Sequence, residues 1–272
     1  MGEHMNKKWG FYKIEENAVQ EIVTKFGISN ILARILLNRG IKEDEEIRVF
    51  LDPSRNDFYD PFLLPDMGKA VDRILKAIDK KEKVVIYGDY DVDGITSVTV
   101  LKRFLKERGL EVGYYIPNRL EEGYGLNQEA INKIIKENYT LMITVDCGIS
   151  GIKEIEECNK LELETIITDH HEQGETLPPA FAVVDAKRKD NQYPFRELAG
   201  VGVVFKLIQA ISKKLNLESK EYLKYLDIVA IGTISDIVPL VSENRVIAKL
   251  GLKLTQMTKN IGLKELINAS RI

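Results

Sequence analysis

From residue 67 onward the chain alternates between two apolar patterns. Long stretches carry apolar side chains at helical spacing, and short continuous runs rich in Val, Ile and Thr separate them. The spacing predicts helices over 67–81, 95–108, 127–137 and 150–160. It predicts strands over 83–88, 111–116, 141–146 and 164–168, with a further strand over 181–185. Uninterrupted apolar strands are covered on both faces, and strands alternating with helices build parallel sheets. The expected fold is therefore α/β, a doubly wound, mainly parallel sheet flanked by helices. From 199 onward the pattern is helical, ending in a lysine-rich helix over 244–259. Ahead of the sheet, residues 16–50 read as short helices, with an apolar stripe of Ile31, Leu32, Ile35 and Leu36 and a stop at Gly40. Residues 52–66, rich in Pro, Asp and aromatics, read as an ordered connection on the domain surface. The expected organisation is a tag remnant over 1–5, an N-terminal helical segment over 6–66 packed on the core, an α/β domain over 67–243 and C-terminal helices over 244–272.

The apolar runs end in the same chemistry. Val84-Val85-Ile86-Tyr87-Gly88 leads into Asp89-Tyr90-Asp91-Val92-Asp93-Gly94, and Leu141 to Val145 leads into Asp146-Cys147-Gly148. Thr165-Ile166-Ile167 leads into Thr168-Asp169-His170-His171, and Ile228 to Ile234 leads into Ser235-Asp236. The remaining histidine, His4, lies in a segment that reads as a cloning remnant. Ligands bind open α/β sheets beyond the carboxyl ends of the strands. The four endings therefore predict one acidic site along one edge of the sheet. Crowded carboxylates repel unless cations neutralise them. Carboxylates with one or two imidazoles and no thiolate set suit Mn²⁺ or Mg²⁺ rather than a structural zinc, and the acidic groups suffice for two ions sharing a bridging carboxylate. The Asp-x-Asp-x-Asp-Gly run is not a calcium-binding EF-hand, because no Glu closes the loop and a strand precedes it. Cys147 reads as a small half-buried neighbour of a ligand, with no partner thiol or base.

Bulk properties narrow the class. The 272 residues are 44% hydrophobic and 30% charged, as in a globular chain with a sizeable core. No apolar run approaches a membrane span, and Cys147 and Cys158 form no framework, which suits a reducing cytoplasm. The net charge of −3 gives no global pull toward nucleic acid, so any such surface must be local or rely on bound cations. Two segments suit phosphate. Ala199-Gly200-Val201-Gly202 opens a helix whose N–H groups can hold an anion. The loop Pro117 to Asn127 offers Arg119 for a phosphate and Tyr124 for stacking on a base, with Asn127 as a helix cap. Lys187-Arg188-Lys189, Arg196 and Lys206 add a local basic stretch; such runs more often mark a solvated face.

Taken in order, Tyr87 to Gly94, Val145 to Gly148, Asp169-His170-His171 and Ser235 to Leu240 resemble the four motifs of the DHH phosphoesterase superfamily. The Pro117–Asn127 loop, Tyr193 to Gly202 and the leader around Asp52-Pro53-Ser54 resemble its branch of single-strand-specific 5′→3′ exonucleases. The resemblance spans most of residues 9–260. It implies metal-dependent hydrolysis of single-stranded DNA to 5′-mononucleotides, with Asp91, Asp93, Asp146, His170 and Asp236 as ligands of two ions and Asp146 bridging them. Asp89 would be a ligand or a close support. His171 would touch the scissile phosphate or stabilise its charge, and Asp169 would orient a neighbour. Arg119, Tyr124, Arg196, Gly200 and Gly202 would contact substrate.

Tyr87 departs from the many DHH enzymes whose first motif opens with histidine, which shifts weight onto Asp89. Relatives also carry a Gly-Gly-His domain and, in this branch, a nucleic-acid-binding module; neither pattern occurs before Ile272. The expectation is a core fragment with weak, salt-sensitive, poorly processive activity, whose partners are single-stranded DNA, repair or recombination proteins and a second domain. Two rival readings remain: a short-substrate phosphodiesterase of the same superfamily, acting on nano-RNA or cyclic dinucleotides, and a non-catalytic DHH scaffold. Retained carboxylates and histidines in all four motifs argue against the scaffold.

Overall fold

The computed structural model describes residues 13–270, so His4 and the expected tag remnant lie outside the described residues. The chain forms two compact units dividing between Asp52 and Pro53, rather than at the helix start at 67. The first contains helices α1 (Glu16–Phe26), α2 (Asn30–Asn38) and α3 (Asp44–Leu51). Gly27 ends α1 in the left-handed conformation, and the Ser29 hydroxyl accepts the Leu32 N–H to start α2. The buried face of α2 is Ala33 and Leu36. Ile31 and Ile35 of the expected stripe are exposed.

The second unit begins with two short 3₁₀ turns, Arg55–Asp57 and Pro61–Leu63. Then follow α4 (Met67–Lys80), β1 (Lys83–Gly88), α5 (Val92–Lys106), β2 (Glu111–Tyr115), α6 (Gln128–Lys136), β3 (Leu141–Val145), α7 (Ile152–Lys160), β4 (Glu164–Thr168) and β5 (Ala182–Val184). Five further helices close it: α8 (Gly200–Lys214), α9 (Lys220–Leu223), α10 (Leu226–Ser235), α11 (Ser242–Thr255) and α12 (Ile261–Ser270). The strands pair in parallel throughout, in the order β2-β1-β3-β4-β5. After β1 the chain first builds outward to β2 and then returns to the other side for β3. A crevice opens where the direction reverses, beyond the carboxyl ends of β1 and β3.

Both faces are covered, as the unbroken apolar strands require. Val84, Ile86, Ile143 and Val145 point into a large core with α4, α5, α8 and α10. The alternate residues Val85, Tyr87, Met142 and Ile167 point into a smaller core that includes Ile131 and Ile134 of α6 and Ile155 of α7. The period of two assigns successive side chains to opposite layers.

Helix α5 begins at Val92 rather than 95. The Asp91 carboxylate accepts the Gly94 N–H at 2.9 Å and caps the helix. The Asp-x-Asp-x-Asp-Gly run is therefore a strand end joined to a helix start, and Asp93 sits inside the first turn.

Helix α8 is buried on nearly every side, even at Lys206. Its ammonium donates to Glu243 Oε1 at 2.8 Å and to the Tyr59 carbonyl at 2.7 Å. Glu243 also accepts the Tyr59 N–H at 3.0 Å and the Tyr193 hydroxyl. Lys206 thus leaves the expected basic surface and becomes an internal tie. Glu243→Ala would take the acceptor from three donors, leaving Lys206 only the Tyr59 carbonyl, whereas Lys206→Met leaves Glu243 two of them. Urea denaturation should show a loss of about 3–5 kcal/mol for Glu243→Ala, exceeding that for Lys206→Met. Equal losses would mean that the ammonium alone matters.

Candidate metal centre

The apolar runs deliver their polar ends to one place, by two kinds of element. Asp89 leaves β1, Asp146 leaves β3, and Asp169, His170 and His171 leave β4. Asp236 follows the last turn of helix α10, in keeping with the helical pattern expected from 199 onward, so three strand ends and one helix end meet. Helix α10 packs on α5 and α8 and so reaches the same crevice from the large-core side.

The close approach depends on backbone geometry. Asp146 adopts a left-handed conformation with φ 60°, which short polar residues tolerate better than most, while its N–H still donates to the Thr168 carbonyl at 3.0 Å. Helix α8 starts directly opposite. Its Gly200 and Val201 N–H groups donate to the Asp93 carboxylate at 2.6 and 2.8 Å. The expected anion site at this helix start is therefore filled by the protein's own carboxylate. A Cβ on Gly200 would lie 2.6 Å from Asp146 Oδ1, so the glycine is required by close packing on a site residue. Gly202 packs on Leu198 within the buried helix rather than facing the crevice. Gly94 is similarly constrained, because a side chain there would strike the Asp89 backbone.

Three groups of donor atoms lie within 4.8 Å of one another: Asp89, Asp91 and Asp146; Asp93, His170 and Asp236; and Asp146, His170 and His171. Asp146 and His170 are each shared by two groups. His170 Nε2 lies 3.1 Å from Asp146 Oδ1 and 3.9 Å from Asp93 Oδ2, and its Nδ1 lies 3.7 Å from Asp236 Oδ2. Among the described residues, buried Asp89 Oδ1, Asp146 Oδ1, His170 Nδ1 and Asp236 Oδ2 have no hydrogen-bond partner. Buried polar atoms normally find partners. Orphaned carboxylate and imidazole atoms facing one another are a donor set that fits divalent cations.

The electrostatics agree. Burial, reinforced by Asp146, pushes Asp93 far above the ordinary carboxylate range. Burial together with Asp91 lifts Asp146 to about 9. Burial also raises Asp89 and Asp236. Asp169 behaves oppositely. Burial works against its charge, but the His171 imidazole and the N–H groups of Ile149 and His171 outweigh it and hold the carboxyl low. Its Oδ1 takes His171 Nδ1 at 2.7 Å and the His170 N–H at 2.7 Å, and its Oδ2 takes the Ile149 N–H at 2.9 Å. Asp169 is in none of the three donor groups. Its hydrogen bond lifts His171 to about 9, so that half-exposed imidazole is a cation at neutral pH.

The remaining expected residues divide. The Tyr124 hydroxyl lies 3.3 Å from His171 Nδ1, and the rings meet edge to face. Arg119 is exposed, with its guanidinium carbon 5.3 Å from the Tyr90 ring centre. Tyr87 donates its hydroxyl to the Gly125 carbonyl at 2.8 Å and receives the Asn127 amide at 3.2 Å, tying this loop to β1. Arg196 is exposed and donates to the Lys187 carbonyl at 3.1 Å. Arg188 is not a surface cation: it is buried against Asp66, Asp190 and the Val183 carbonyl. Cys147 is fully buried rather than half-buried. One acidic residue escaped notice. Asp185, directly after β5, is fully buried with an unpartnered Oδ2, and burial lifts it to about 7. Its signal was present, since Val183-Val184-Asp185 is another apolar run ending in Asp.

The model of the DHH family, N-terminal domain, matches residues 83–233. The chain belongs to the DHH family. It is 44% identical over 263 residues to the single-stranded-DNA-specific exonuclease RecJ of Bacillus subtilis, covering 97% of this chain and 33% of that protein. A crystal structure of exonuclease RecJ bound to manganese superposes with a TM-score of 0.70 at 37% identity, covering 76% of this chain and 52% of the other. RecJ of Thermus thermophilus in complex with Mn²⁺ superposes with a TM-score of 0.78 at 30% identity, covering 94% of this chain and 36% of the other. The chain spans 33–43% of the length of the first curated relatives it matches. Among the described residues no helix is long and apolar enough to cross a membrane.

The raised carboxylates have a consequence for stability. Each is ionised in the unfolded chain above about pH 4 but keeps its proton to higher pH when folded. A raised folded-state pKa contributes stability below the unfolded value and loses it as pH rises through the folded value. Asp146 sets a window from about pH 4 to about 9. His171 has the same sign above its unfolded value. After chelation, the Tm of this DHH core should fall from pH 5 to pH 9, and Asp146→Asn should flatten the profile. A Tm that rises across that range would contradict the burial of these carboxylates.

Proposed function

We propose that the chain is a metal-dependent phosphodiesterase core that hydrolyses single-stranded DNA from its 5′ end, releasing 5′-mononucleotides. The observation that supports it best is the cluster of buried, unpartnered Asp89, Asp146, His170 and Asp236 atoms at the switch point of the sheet. The similarity to single-stranded-DNA-specific exonucleases over nearly the whole chain supports the substrate class. Structures of similar exonucleases with Mn²⁺ or Mg²⁺ support the choice of ion.

In this reading Asp89, Asp91, Asp93, Asp146, His170 and Asp236 would hold two divalent ions, and Asp146 belongs to two of the donor groups. Such ions supply charge neutralisation of the phosphate and acidify water at neutral pH. The chain's own groups do the rest. Asp93 is fixed by the α8 N–H groups and cannot swing away. Asp169 orients His171 and favours its protonated form. The His171 imidazolium faces the crevice and stabilises charge that develops on the phosphate oxygens. Tyr124 stands beside it, where the ring can meet the terminal base or sugar while its hydroxyl steadies the imidazole. Arg119 and Arg196 are exposed cations suited to flanking phosphates. The two free, buried thiols suit a reducing cytoplasm, and a role in DNA repair and recombination is part of the same proposal.

Incubating 5′-labelled single-stranded DNA with the chain and Mn²⁺ should release labelled mononucleotide, and chelation should stop it. Asp146→Ala should lower the rate at least about a hundredfold. Release of label by a metal-stripped sample would remove the metal from the mechanism. Cleavage of dinucleotides with no action on longer DNA would move the assignment to the short-substrate phosphodiesterases.

Gly200→Ala tests the packing of the centre. The added methyl displaces the Asp146 carboxylate, so Mn²⁺ affinity measured by calorimetry should fall at least about tenfold while circular dichroism stays unchanged. Unaltered affinity would mean that the site adapts around the methyl.

A further inference from the structure

We propose that Tyr90 is a positioning residue whose ring holds the Arg119 guanidinium at the mouth of the metal centre, where that cation takes a phosphate of the substrate strand. This rests on the nuclease reading above and adds a residue to it.

Tyr90 lies between Asp89 and Asp91, so its backbone is anchored on both sides by residues of the centre. Its ring is half-buried, whereas Arg119 is exposed. The guanidinium carbon is 5.3 Å from the ring centre, within the range of a cation–π contact. The main chain carrying Arg119 is equally defined. The Asn118 carbonyl accepts the N–H groups of Glu121 and Glu122, its side-chain oxygen accepts the Leu120 N–H at 3.0 Å, and its own N–H donates to Glu122 at 2.7 Å. Glu122 is in turn held by the Tyr115 hydroxyl from β2. A tight turn therefore fixes the Cα of Arg119, and Tyr90 fixes the far end of its side chain.

The manner of that restraint matters. No described carboxylate lies within ion-pair distance of Arg119, yet its charge is felt at Asp89. A carboxylate partner would consume the N–H donors of the guanidinium. An aromatic face leaves that edge free for a planar, two-point grip on phosphate. An exposed cation–π pair adds little to stability. Its value here lies in orienting a cation beside Asp89 without neutralising it.

The test is a double-mutant cycle on Mn²⁺-dependent digestion of single-stranded DNA, with Tyr90→Leu, Arg119→Ala and the pair. Arg119→Ala should raise KM at least about tenfold. Tyr90→Leu should raise KM about two- to fivefold with little change in kcat. Tyr90→Phe, which keeps the ring face, should rescue KM. In the Arg119→Ala background, Tyr90→Leu should add nothing. Mn²⁺ affinity, measured separately by calorimetry, should be the same in all variants. A full, additive effect of Tyr90→Leu without Arg119 would overturn the proposal and leave the nuclease reading intact. So would weakened Mn²⁺ binding, which would assign Tyr90 to the ligands instead. If the unmodified chain digests no DNA, the nuclease reading fails, and the cycle is read from oligonucleotide Kd by fluorescence anisotropy. Non-additive losses there keep the proposal; no binding by the unmodified chain overturns it.

Discussion

Crowding of buried carboxylates is the constraint around which this molecule is arranged. Asp93 and Asp146 are almost wholly removed from water, and neighbouring carboxylates raise the cost of ionising both, Asp146 acting on Asp93 and Asp91 on Asp146. The fold offsets part of that cost with its own groups. The first two N–H groups of α8 hold Asp93, and the missing side chain of Gly200 lets Asp146 approach the same helix end. It leaves the rest unmet, in carboxylate and imidazole atoms with no hydrogen-bond partner. A core built for stability alone would not retain them. Such atoms, gathered at the switch point, make it the candidate cation site.

The two adjacent histidines show how local environment divides roles between identical side chains. His170 is buried and places each ring nitrogen near a carboxylate of the centre. His171 turns outward, takes the Asp169 carboxylate on Nδ1 and gains a positive charge. Asp169 can do this because the Ile149 and His170 N–H groups already stabilise it as an anion. One residue along the chain thus separates a buried imidazole set among carboxylates from a cation at the surface.

Helices deliver the parts that the sheet cannot. Strands β1, β3 and β4 carry residues only to their own carboxyl ends, which gives a row. Closing the row into a cluster requires groups arriving from another direction. The N-terminus of α8 and the C-terminus of α10 supply them from the large-core layer. The buried Lys206–Glu243 pair ties α8 to α11 and to the segment around Tyr59, so the helix that holds Asp93 is itself anchored.

Much of this was legible in the residues alone. Short runs such as Val84–Gly88 and Leu141–Val145, uninterrupted and rich in β-branched side chains, can be buried only in a parallel sheet covered on both faces, and their Asp endings mark its functional edge. Local pattern carries that information because strand burial and strand direction are properties of contiguous residues. What the pattern could not carry were relations between distant residues. That Asp236 comes to lie beside His170, that the Gly200 and Val201 amides are spent on Asp93, and that Lys206 and Arg188 are buried in ion pairs depend on which groups meet after packing. A glycine beside a helix start, or a lysine in a basic stretch, looks the same in sequence whether it faces phosphate or a carboxylate of its own chain. Only the tertiary structure decides, because the partner that satisfies a buried charge can lie a hundred residues away.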